Sequence, residues 1–197
     1  MSSTGQIIPA WEQKIREKAV IPVASLDKMS MNSLDAIETA QFAAPMYKKY
    51  EPAPDNFKSQ LISIHIITVQ KTQTATKTCI DTIQGLKHTQ TDKNVWDATI
   101  KNVRETAKQN FSKRFDNASD EAIETIKALP PVQQNRAANF FSYGMGIVSK
   151  VINQASYGLS DIVTKDLLAG NWNTLTEVDN TVKAGCGAAM DALKSMF

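Results

Sequence analysis

The residue types that most often do chemistry are scarce in this chain. Of 197 residues, two are cysteine and two are histidine. Cys79 and Cys186 lie far apart and belong to no CxxC pair or zinc-ligand spacing, so they read as small buried or interfacial thiols. A redox or nucleophilic role for either is the competing reading. His65 stands inside the apolar run Leu61–Val69, where a lone imidazole reads as a packing residue. His88 follows Gly85 at an expected helix end, where it can cap the last carbonyls. No carboxylate cluster accompanies either histidine, so neither a triad nor a metal site is expected. Gly144-Met145-Gly146 and Gly185-Cys186-Gly187 lack the preceding strand and the GK[ST] continuation of a nucleotide loop. They read as close-packing or flexible points within helices. No enzyme, no metal and no cofactor are expected.

Charge and hydropathy narrow the remaining classes. Twenty-two basic and 20 acidic residues leave a net charge of +2, without the basic field of a dedicated nucleic-acid binder, so no nucleic-acid partner is expected. The longest uncharged stretches, Ser59–Gln70 and Ala137–Ser149, fall short of the about 20 residues that a membrane-spanning helix needs. Met1–Ala10 has neither the basic start nor the apolar segment of a secretory leader, and the expected location is cytoplasmic.

Punctuation divides the chain into helical segments. Pro9 opens a short one to about Ala19, with Trp11 and Ile15 one turn apart. Ser25–Ala44 reads as a second, followed by an extended joint through Pro45, Pro52 and Pro54. Leu61–Val69 is rich in β-branched residues, yet no second strand-like run exists to pair with it. Asn56 to about Lys87 is therefore expected to be helix, with Asn56 as N-cap. Asp92–Leu129 is expected to be the longest helix, capped by Thr91 or Asp92 and ended by Pro130-Pro131. Val132 to about Thr164 follows, weakened by three glycines, and Gly170-Asn171-Trp172-Asn173 separates it from Thr174–Phe197. Three regions are expected: short helices and a proline-rich joint over 1–55, a long amphipathic region over 56–130, and a helical pair over 131–197. The expected fold class is all-α, five or six helices, with long amphipathic helices and a C-terminal hairpin or bundle.

The segment between Asp92 and Leu129 carries the functional signal. Its apolar series is Trp96, Ile100, Val103, Ala107, Phe111, Phe115, Ala118, Ala122, Ile126 and Leu129. Nine steps span 33 residues, a mean spacing of 3.67, which is the 11-residue period rather than the heptad. Such a stripe stays nearly straight along a helix and must be buried against a core, a partner or a lipid surface. Small polar residues flank it, and the charges separate along the axis. Lys93–Arg114 holds six basic and two acidic residues, whereas Asp116–Glu124 holds four acidic residues and no basic one. On a lipid surface the stripe would face the monolayer, and Lys101, Arg104, Lys108, Lys113 and Arg114 would meet its headgroups. In a soluble bundle the same stripe would line the core.

Ser33-Leu34-Asp35-Ala36-Ile37-Glu38-Thr39-Ala40, running through Ala44-Pro45 to Lys49-Tyr50-Glu51-Pro52, resembles the end of the perilipin N-terminal domain. Ile21-Pro22-Val23-Ala24-Ser25 is similar to that family's Leu-Pro-Leu-Val-Ser start. The resemblance implies a coat protein of cytosolic lipid droplets with 11-residue-period helices and a terminal helical bundle. Its partners would be a phospholipid monolayer or neutral-lipid droplet surface, with protein partners or self-association beside it. The alternative expectation is a soluble helical-bundle scaffold or an accessory subunit of a larger assembly.

Overall fold

The computed structural model describes residues 8–18, 55–89, 92–159 and 161–196. Six helices lie within them: α1 (Ala10–Lys18), α2 (Asp55–Leu86), α3 (Lys93–Lys127), α4 (Pro131–Gly158), α5 (Asp161–Leu168) and α6 (Asn173–Lys194). The fold is all-α, and α3 is the longest helix at 35 residues. The Ser25–Ala44 segment, the proline-rich joint and both stretches resembling perilipins lie outside the described residues.

Local chemistry sets the helix ends. Asp92 caps α3 by accepting the Asn94 N–H at 3.0 Å. The Pro9 carbonyl receives the Glu12 and Gln13 N–H groups at the start of α1. Pro130 and Pro131 separate α3 from α4, with Pro131 in the first turn of α4, where its missing N–H costs nothing. Gly170, at φ 95°, turns the chain between α5 and α6 in a left-handed conformation that suits glycine.

The β-branched run lies within α2, not in a strand. Leu61, Ile62, Ile64 and Val69 are buried, so tertiary packing outweighs the strand preference of the run. The buried Thr68, Thr72 and Thr76 satisfy their hydroxyls by donating to the carbonyl four residues earlier, at 2.8–3.0 Å. Two boundaries differ from expectation. Helix α2 begins at Asp55, which places Asn56 inside it instead of at the N-cap. The segment expected as one helix over Val132–Thr164 is divided, since α4 stops at Gly158 and α5 starts at Asp161. Leu159, the C-cap residue of α4, turns into the core there, with 1% of its surface exposed.

The four long helices form a bundle. Helix α2 packs against α3, α4 and α6, and α4 also packs against α3 and α6, so α2 and α4 face each other across the centre. Short connections make sequential neighbours antiparallel. Helix α1 lies against α4 and α3, and α5 bridges α3 and α6. One contiguous core runs from Trp11 to Met196.

Candidate functional site

The stripe of α3 faces the interior of this bundle. Ile100, Ala107, Phe111, Phe115, Ala118, Ala122, Ile126 and Leu129 are buried, and Phe111 and Phe115 rank among the largest fully buried side chains. Trp96 and Val103 are partly buried and pack against the same core. At its upper end Trp96 meets Trp172 edge to face, with ring centroids 5.4 Å apart, and its indole N–H donates to the Thr89 hydroxyl at 3.2 Å. The structure thus brings all ten stripe residues onto one protein-covered face. While the bundle is closed, none of the buried eight is accessible to a lipid surface.

The five basic residues expected beside the stripe do not act alike. Lys113 and Arg114 are exposed. Lys101 pairs with Asp97 at 2.7 Å and Lys108 with Glu105 at 3.4 Å, both on α3 itself. Arg104 departs from the expectation. It is buried, and its Nε–H donates to the Leu159 carbonyl at the end of α4. A guanidinium there satisfies an orphan carbonyl and opposes the negative end of the helix dipole. The reason it is buried is positional: Arg104 directly follows Val103 and lies one turn after Ile100, at the edge of the stripe.

His65 is a core residue. Its ring is fully buried, stacks on Phe141 at 4.7 Å, and its Nε2–H donates to the Phe141 carbonyl at 3.0 Å. Burial pushes its pKa down to about 4, against the pull of that carbonyl. Gly144 supplies the room: a Cβ there would stand 2.4 Å from the imidazole. Gly185 likewise lies close to Gln154, whereas Gly146 and Gly187 face open space. The two glycine pairs therefore divide into one close-packing point and one open position each. His88 is exposed in the turn after α2, and its backbone N–H, not its ring, bonds the Gly85 carbonyl at 3.4 Å.

Cys79 and Cys186 are free and buried. Burial pushes both thiols up to about 12, with the Arg104 charge partly opposing the shift at Cys79. A thiol held in that form is a poor nucleophile. Among the described residues no group of three His, Cys, Asp or Glu side chains is placed to hold a metal ion. No described helix is long and apolar enough to cross a membrane.

A surface feature escaped the sequence reading. An open groove of about 800 Å³ runs between the first half of α2 and the last third of α3. Ser59, Gln60, Ser63, Ile64 and Ile67 form one wall, and Asp120, Glu121, Glu124 and Thr125 form the other. The acidic segment was visible in the sequence. Its apolar counterpart was not, because Ile67 belongs to a run whose other members are mostly in the core.

No protein-family model, curated protein or solved structure matches this chain.

Proposed function

We propose that the chain is a non-enzymatic coat protein that binds the phospholipid surface of cytosolic lipid droplets through its amphipathic helices and stabilises stored neutral lipid. In this reading the bundle is its closed form in water. The observation that carries it is the straight apolar line of α3, kept from water by helices that a monolayer could replace. The resemblance of Ser33–Pro52 to perilipins points to the same class of surface.

The second reading is a soluble bundle that serves as a scaffold or accessory subunit. Near-complete burial of the stripe favours it, because a bundle sealed this way already satisfies the helix.

Flotation with phospholipid-covered oil emulsions, run together with thiol labelling of Cys79 and Cys186, separates the two. A coat protein floats, stays helical, and its buried thiols become reactive on the emulsion. A scaffold remains in the aqueous layer with both thiols silent, and that outcome overturns the coat reading.

A further inference from the structure

The exposed charges on one side of α3 run from basic at Lys113 and Arg114 to acidic at Asp116, Asp120, Glu121 and Glu124, and Lys127 beyond them is taken up by Glu124 at 3.0 Å. Lys113 and Arg114 are followed seven residues later by Asp120 and Glu121, and seven residues are close to two helical turns. Each basic residue therefore shares a side of the helix with an acidic one about 10 Å further along. All four side chains are exposed. Helix α2 runs antiparallel beside them, so its exposed Ile67 lies at the end of the groove that borders the basic segment. Lys71, one turn beyond Ile67, is exposed at that basic end.

Most of these charges have no use within the fold. Lys71, Lys113, Arg114 and Glu121 form no ion pair with the described residues. Asp120 already receives Arg16 from α1 at 3.3 Å, so this rim accepts a guanidinium.

A face that is basic at one end, acidic at the other and apolar between them complements itself. Turning a second copy by 180° about an axis between Arg114 and Glu121 lays the basic end of each over the acidic end of the other. Both Ile67 side chains then lie near the axis. We infer that the α2–α3 face is the contact between two copies of this chain in an antiparallel dimer. A partner of one sign would meet like charge over half of the face, and an anionic membrane would be repelled by its acidic end. A second copy meets opposite charge at both. The inference stands apart from the lipid reading, since it concerns the closed form and the outer side of α3.

Sedimentation velocity on the full chain tests it across protein concentration and salt. At low salt the expected species has twice the 21.7 kDa mass of one chain, and it dissociates at about 0.5 M salt, where exposed charges are screened. The double variant Lys113→Glu with Arg114→Glu should sediment as a monomer, as should the single variant Glu121→Lys. Each should associate at least ~100-fold more weakly, because like charges then face each other. Mixing the two in equal amounts should restore a dimer, since each exchanged residue again faces opposite charge. Circular dichroism checks that each remains helical, and Ile67→Arg breaks the same contact without touching α3. A wild-type chain that is monomeric at low salt overturns the inference and leaves the face to residues 19–54 or to another partner. Charge variants that still dimerise alone overturn it too, by placing the contact elsewhere.

Discussion

His65 is held neutral by its surroundings, and this makes the stability of the fold depend on pH. Its Nε2–H donates to the Phe141 carbonyl, so Nδ1 carries a bare lone pair with no partner. Protonation would add a charge and a further N–H to a fully buried, largely apolar site. The unfolded chain binds this proton near pH 6.5, whereas the folded chain resists it down to about 4. The resulting stability is fully present above pH 6.5 and is lost as pH falls through 4, by about 3 kcal/mol in all. Urea unfolding across this range should show that slope in the native chain and a flatter one in His65→Phe. The glycine facing the ring gives a paired prediction. Gly144→Ala places a methyl against an imidazole that has nowhere to move, and should cost about 1–2 kcal/mol even after its helix-propensity gain. Gly146→Ala, with nothing nearby, should instead gain up to about 1 kcal/mol.

At the scale of the element, α3 does two things at once. Its stripe fills the core, and Arg104 ties off the end of α4. Arg104→Met keeps the length of the side chain but leaves the Leu159 carbonyl without its charged donor. It should cost about 1.5–3 kcal/mol and speed amide exchange in the last turn of α4. Lys101→Gln, which removes one exposed i,i+4 pair, should change stability by less than about 0.5 kcal/mol. The contrast shows why five basic residues on one helix are not five copies of one role. Phe111 and Phe115 sit one turn apart at the middle of the stripe, both essentially sealed. Replacing both by Asp should abolish cooperative unfolding in lipid-free buffer, since two carboxylates cannot enter that core without partners.

At the scale of the whole molecule, the proposed opening exchanges one apolar environment for another while the helices persist. The buried thiols report it. In buffer, Cys79 and Cys186 should label only at the rate of transient opening. On a phospholipid-covered emulsion a coat protein should label at least ~10-fold faster with no loss of helical signal, and an unchanged rate would count against opening. Replacing Lys113 and Arg114 with Gln should weaken attachment chiefly on anionic surfaces at low salt, because both residues are exposed in the closed form and screened when salt is raised.

The helices were legible because their causes are local. Trp11 and Ile15 one turn apart, the Asp92 cap, the Pro130-Pro131 break and the Gly170-Asn171-Trp172-Asn173 separation each mark an element within a few residues, and the structure places helices accordingly. The helical state of Leu61–Val69 followed from the lack of any strand to pair with it. What lay across from each apolar face was not legible, since a stripe has the same spacing whether it meets lipid or protein. Tertiary packing decided that the Phe111–Phe115 face is covered by protein, and that the chain breaks after Gly158 so that Leu159 can enter the core and meet Arg104. It also set Gly144 against His65, residues far apart in sequence and joined only when α2 and α4 cross the centre of the bundle. Sequence by itself determined periodicity, caps and charge order, all of which act within a turn or two. Which faces meet depends on the summed burial of all four long helices, a quantity that no single segment contains.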